Sequence, residues 1–64
     1  MDWREHGHRT WVYVDLYGKI HGEVRQLGHS YFSTYHGQNI GEYVDKTSAQ
    51  DAVVVAASQP KQEE

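Results

Sequence analysis

Three breaks that contain glycine divide the chain between Thr10 and Val44 into four short runs rich in β-branched and aromatic residues. Apolar and polar residues alternate along these runs, which is typical of strands. Runs joined by such short turns pair with their neighbours in the chain, so the sequence predicts an antiparallel meander of three to four strands. The predicted strands are 10–16, 19–26, 29–36 and 39–44, and the breaks between them fall at 15–18, 27–28 and 37–38.

The first break, Asp15-Leu16-Tyr17-Gly18, has Asp at the first turn position and Gly at the last. This order favours a type I turn followed by a glycine in the left-handed region. If Asp15 pairs with Lys19 across the turn, Thr10 to Gln26 forms a hairpin.

A helix is predicted after the strands, from Ser48 to Ser58. Thr47 and Gln50 have the spacing of a capping box, in which each side chain bonds a free backbone N–H of the first turn. Small and apolar residues then recur at helical spacing, and Pro60 prevents continuation. A fifth strand through the β-branched residues 53–55 is the alternative. The predicted class is α+β, with the C-terminal helix packed on one face of the sheet.

The chain has 64 residues, which is enough for one domain. Residues 1–9 show no apolar period and are predicted to form a polar arm, residues 10–58 the domain, and residues 59–64 a solvated tail. There is no cysteine, so disulfides and thiolate metal sites are excluded. The first nine residues are polar and no apolar run approaches the ~18 residues of a membrane span, so we expect a cytoplasmic protein.

Two-residue turns at 27–28 and 37–38 would fix the register and sort the side chains into two faces, because neighbours along a strand point to opposite sides. We expect the helix to cover the face formed by Val12, Val14, Ile20, Val24, Tyr31, Tyr35, Ile40 and Val44. The opposite face would hold Trp11, Tyr13, His21, Glu23, Arg25, Phe32, Thr34 and Tyr43.

This second face is the predicted partner-binding surface, because an exposed group of aromatic side chains usually marks an interface. Its expected contact residues are Trp11, Tyr13, His21, Arg25, Phe32 and Tyr43. The partner is predicted to be a larger protein or a second copy of the chain. Burial of the face by Trp3 and the N-terminal arm is a further alternative.

Nucleic acid is the main rival partner, since exposed aromatic residues on a sheet can stack single-stranded bases. The formal net charge is −3, and acidic side chains are interspersed among the aromatic ones. Negative charge repels a phosphate backbone, so the sequence favours a protein partner.

No residue pattern indicates catalysis or a cofactor. The serines lie in no nucleophile motif, and the scattered glycines form no phosphate-binding loop. His6 and His8 could ligate a metal, but their spacing matches no established site. We therefore predict a protein that is not an enzyme and that binds neither cofactor nor metal.

Turn glycines and a capped helix after several strands, from about Thr10 to Ala57, resemble small phage and prophage domains. These include the integrase N-terminal arm-binding and plant AP2-type domains, in which a three-stranded sheet lays a basic face in the major groove of DNA. Here the matching face is aromatic and mixed in charge. The resemblance implies a short accessory protein of the phage type that modulates or inhibits a larger host protein.

Overall fold

The structure is a computed structural model, and it describes residues 1–58 of the chain. Five antiparallel strands form one open sheet in chain order, and one helix follows them. The α+β class and the meander are confirmed, but the sheet has five strands and not three to four. The elements are β1 Asp2–Glu5, β2 Thr10–Val14, β3 Ile20–Leu27, β4 Ser30–Tyr35, β5 Gln38–Tyr43 and α1 Lys46–Ser58. The predicted tail, 59–64, lies outside the described residues.

The additional strand is β1, which occupies the segment predicted to be a polar arm. It pairs with β2, and Trp3 stands opposite Tyr13. The two rings are in contact, with centroids 4.8 Å apart. A strand of four residues with one large apolar side chain has too short a pattern to be recognised as a strand, which is why the prediction of an arm was wrong.

The turn between β2 and β3 forms as predicted. Gly18 adopts a φ of 81° and donates its N–H to the carbonyl of Asp15 at 3.0 Å. The Asp15 carboxylate also accepts from the N–H groups of Tyr17 and Lys19, at 2.9 and 3.0 Å. Aspartate and glycine therefore fix this hairpin together.

The next two turns lie one residue away from their predicted positions. Leu27 pairs with Ser30, so the turn is Gly28-His29 and not Leu27-Gly28. Tyr35 pairs with Gln38, so the following turn is His36-Gly37. Tight hairpin turns need positive φ at one or both central positions, and Gly28, His36 and Gly37 provide it, with φ of 62°, 52° and 81°.

Two bulges change the register again. The pairing of β2 with β3 shifts between Tyr13 and Val14, which leaves His21 as the extra residue. The pairing of β4 with β5 shifts between Ser33 and Thr34, which leaves Ile40 as the extra residue. Each bulge inserts one extra residue, so the side chains that follow it point to the opposite face of the sheet from the one predicted.

The face that packs against the helix, here called the helix face, is therefore a mixture of the two predicted sets. It keeps Val24, Tyr31, Tyr35 and Ile40, and it gains Trp3, Trp11, Tyr13 and Tyr43. The prediction that Val12, Val14 and Ile20 lie under the helix was wrong, because these residues share the opposite face with Glu23 and Arg25. Val44 follows β5 and is 85% exposed.

The core is small and centres on Val24, Ala49 and Val53, all fully buried. Helix α1 packs on β3, β4 and β5. The hydroxyl of the buried Ser33 donates to the carbonyl of Ala49 at 2.8 Å, which satisfies the polar atom in the interface and ties the helix to the middle of the sheet.

The helix begins at Lys46, two residues before the predicted start, because Asp45 and not Thr47 caps it. The N–H of Ser48 donates to Oδ1 of Asp45 at 2.7 Å. This bond and a second from the Ser48 hydroxyl lower the pKa of Asp45. The helix itself is confirmed over the alternative of a strand through 53–55. Residues 1–58 contain no helix long and apolar enough to cross a membrane.

Gly22 lies directly beneath the helix, and a Cβ atom there would overlap with Cγ1 of Val53. Because valine has a stiff χ1, the helix would have to move away from the sheet. We expect Gly22→Ala to lower the free energy of unfolding by about 1–3 kcal/mol, as overpacked cores do.

Chemical denaturation of Gly22→Ala, Val53→Ala and the double variant would test this contact. Removing the methyl groups of Val53 makes room for the added Cβ atom at position 22, so the double variant should lose less stability than the sum of the two single variants. Additive losses would show that the two positions do not collide.

Candidate functional site

The side of the sheet that the helix leaves uncovered, here called the open face, is the candidate binding surface. Val12 and Val14 form its floor, each 4% exposed because side chains on the neighbouring strands surround them. Their cross-strand partners include Arg4, Asp2, Glu23 and Ile20. An apolar floor enclosed by charged side chains is a common surface composition for a protein interface.

Two larger apolar side chains rise beside this floor. Leu27 ends β3 and is 57% exposed, and Phe32 lies on β4 opposite Arg25. Together with Thr34 they border a shallow groove of about 240 Å³. The Arg25 guanidinium donates to the Glu23 carboxylate at 3.1 Å along one wall of the groove. Both charges remain in contact with solvent, so the pair orients two side chains and adds little stability.

The six predicted contact residues are divided between the two sides of the sheet. Arg25 and Phe32 lie on the open face, as expected. Trp11, Tyr13 and Tyr43 pack on the helix face, so their predicted placement beside Phe32 was wrong. His21 is the bulged residue of β3 and lies at the end of the sheet near the β2–β3 turn.

The three aromatic residues on the helix face have identifiable roles there. The Trp11 ring lies 6.2 Å from the ring of Tyr31, and the ammonium group of Lys46 lies 4.8 Å above it. This cation–π contact joins the first residue of α1 to β2. The Tyr43 ring lies over the backbone of Gly41. Aromatic residues beside the helix thus extend a core in which three hydrophobic side chains of residues 1–58 are fully buried.

His21 belongs to a second polar feature, the Asp15–His21–His36 cluster. His21 Nε2 lies 2.8 Å from Oδ2 of Asp15, and His21 Nδ1 lies 2.9 Å from Nε2 of His36. Because a carboxylate only accepts, His21 donates to Asp15 through Nε2, and a neutral His21 accepts from His36 through Nδ1. The His36 ring also stacks on Tyr35, with centroids 4.4 Å apart.

This cluster has the order of a proton relay, and its contacts join the β2–β3 turn to the β4–β5 turn. Both ring nitrogens of His21 are engaged, so neither has a lone pair directed at a metal ion. Among residues 1–58, no group of three or more His, Asp or Glu side chains is arranged to hold a metal. No hydroxyl group of the described residues is hydrogen-bonded to either imidazole.

Sequence reasoning did not find this cluster. Asp15 was assigned to the first turn, and His21 was assigned to the partner-binding face together with Tyr13. One signal in the sequence could have found it: Asp and His residues occur at the ends of strands, and a meander brings alternate turns to the same end of the sheet. The bulge that directs His21 towards Asp15 leaves no mark in the hydrophobic pattern.

Comparisons with protein-family models, curated proteins and solved structures find no match for this chain. The resemblance to DNA-binding phage domains stays a prediction.

The pH dependence of stability provides a test of the cluster. The hydrogen bond from His21, followed by the N–H of Lys19, lowers the pKa of Asp15 from 3.8 to about 2. A carboxyl with a lowered pKa in the folded state contributes stability that is present above 3.8 and is lost as the pH falls through about 2.

We expect the melting temperature of the wild type to fall between pH 4 and pH 2 more steeply than that of Asp15→Asn. Asp51→Asn is the control, because no side chain of the described residues bonds this carboxylate. Parallel curves for wild type and Asp15→Asn would show that the contacts of Asp15 do not stabilise the fold. A titration of the Asp15 carboxyl carbon by NMR would give its pKa directly.

Proposed function

We propose that the chain is a non-catalytic protein-binding module and that the open face is its contact surface. The observation that carries the proposal is the uncovered side of the sheet, where Leu27 and Phe32 border a groove of about 240 Å³ and Ile20 is 50% exposed. Large apolar side chains on a flat, solvent-facing sheet are costly to leave exposed, and binding to a partner buries them.

The charges on the open face favour a protein surface as the partner. Three carboxylates and two guanidinium groups are interspersed there, and Glu23 and Arg25 already neutralise one another. The groove therefore suits an apolar side chain that is flanked by uncharged hydrogen-bonding groups. In this arrangement Phe32 and Leu27 would supply most of the binding energy, and the polar rim would set the orientation.

Binding of single-stranded nucleic acid has less support from the same geometry. Stacking of several bases needs several exposed rings, and Phe32 is the aromatic residue on the open face within the described part of the chain. The carboxylate of Glu42 lies opposite that ring and Glu23 lines the same groove, and both would repel phosphate groups.

Substitutions of apolar residues on and off the open face would test the proposal. We expect Phe32→Ser and Leu27→Ser each to weaken partner capture from a native cell extract about tenfold or more, as loss of an interface anchor does. Tyr17→Ser and Leu16→Ser are the controls, because both residues are 93% exposed at the β2–β3 turn, away from the groove. Quantitative mass spectrometry of the retained proteins provides the measurement.

Equal retention by all four variants would contradict the use of the open face. Sedimentation equilibrium separates the remaining possibilities. A wild-type dimer that Phe32→Ser converts to a monomer would make the chain its own partner. Binding of a fluorescent oligonucleotide that Phe32→Ser and added salt both abolish would identify a nucleic-acid module.

A further inference from the structure

The two edges of the sheet differ in how well they are protected from further strand pairing. The edge strand β1 has four residues, of which Asp2, Arg4 and Glu5 are charged. Short, charged strands of this kind discourage pairing with another chain. The opposite edge strand, β5, has six residues and one charge, at Glu42. Its outer backbone groups have no strand partner among the described residues.

The hydrogen-bond pattern shows which part of β5 is free to pair. Tyr31 and Tyr43 are cross-strand partners of β4 and β5. Along a strand, the N–H and C=O groups of successive residues point alternately to the two neighbouring strands. His36 donates its N–H to β3, so the backbone groups of odd-numbered β4 residues, including Tyr31, point towards β5. Tyr43 therefore faces β4, and the N–H and C=O groups of Glu42 point away from the sheet. Near the bulge, Gly41 N–H already donates to the Asn39 side chain at 3.0 Å.

A groove of about 510 Å³ lies along this edge, between β5 and α1. Ile40, Ala52 and Val55 give it an apolar lining, and Val55 is 48% exposed. A strand added to β5 would direct every second side chain into this groove. The alternate side chains would extend the open face beyond Glu42, because residues along a strand alternate between the two sides.

The charged side chains at this edge are acidic. Asp51 lines the groove, and Glu42 lies on β5 with its side chain on the open face, opposite Phe32. Lys46 at the start of α1 is turned to the other flank of the helix, over Trp11. Within the described residues no lysine or arginine lines the groove. A second copy of the chain would bring the same carboxylates together, whereas lysine or arginine on a partner would be attracted.

We infer that the β5 edge and the α1–β5 groove bind an extended segment of a partner protein as a sixth strand. The segment places small apolar side chains in the groove and carries lysine or arginine to meet Asp51 and Glu42. Main-chain hydrogen bonds supply affinity, and the alternate side chains supply specificity. The inference rests on the proposed function as a protein-binding module, and it names a mode of binding and a class of segment.

The probe for the test is the peptide acetyl-Thr-Val-Lys-Val-Thr-Lys-amide, which presents two valines and a lysine on one side and a lysine on the other. In a ¹⁵N NMR titration of the full chain we expect shifts confined to β5 and the adjoining flank of α1. Hydrogen exchange at the amide of Glu42 should slow on binding. The same peptide with alternate amides N-methylated should not bind, because it cannot complete the ladder.

Variants separate the backbone contribution from the charge contribution. Glu42→Pro removes the outward N–H and should abolish binding, whereas Glu42→Ala keeps that N–H and should retain most of it. Asp51→Asn should weaken binding by about two- to fivefold, the effect of one exposed ion pair. Glu5→Gln removes a carboxylate at the opposite edge and should leave the affinity unchanged. If Glu42→Pro fails to fold, the N-methylated peptide and Asp51→Asn decide the question.

Equal binding of the two peptides, or shifts that map to Leu27 and Phe32, would overturn the inference. A wild-type dimer that Glu42→Pro converts to a monomer would also overturn it, because the occupant would then be a second copy. If the peptide fails to bind while Phe32→Ser still abolishes partner capture, the protein-binding function stands and strand addition does not.

Discussion

Helix α1 can approach the sheet closely because residue 22 has no side chain. Val53 occupies the space that a Cβ atom at Gly22 would need, and Ser33 holds the helix backbone one turn earlier through Ala49. With so few fully buried side chains, this close contact determines which sheet surface becomes the core. The uncovered face, the exposed β5 edge and the groove beside it all follow from the position of the helix over β3 to β5.

The bulge at His21 is the second determinant of the surface. One extra residue in β3 changes which side chains of β2 share a face with Gly22. The Asp15–His21–His36 contacts stabilise this extra residue at the end of the sheet. They also connect the β2–β3 turn to the β4–β5 turn, so the position of the bulge and the ends of both hairpins are coupled.

The sequence contained enough information to predict the class, the order of strands 10–44, the first turn and the C-terminal helix. These features depend on short-range patterns: alternation for the strands, Asp15 and Gly18 for the turn, and helical spacing after residue 47. The assignment of faces failed where it depended on counting residues across turns. The positive φ of His36 shifts the β4–β5 turn by one residue from its predicted position. Each of the two bulges moves the side chains that follow it to the opposite face of the sheet. Such single-residue events depend on tertiary contacts, which a pattern of apolar residues does not record. Arg25 and Phe32 were placed correctly, whereas Trp11 and Tyr13 were exchanged with the valines of β2 and Tyr43 was assigned to the wrong face.

The position of the two tryptophans has a consequence for optical measurements. Trp3 and Trp11 both pack on the helix face, on the far side of the sheet from Phe32 and Leu27. The emission of Trp11 therefore monitors the docking of α1 through the ammonium group of Lys46, and that of Trp3 monitors the pairing of β1 with β2 through the ring of Tyr13. A ligand on the open face would leave that signal unchanged while the fold stays intact. Intrinsic tryptophan fluorescence thus reports the folding of this protein and does not report the binding of a ligand to its open face.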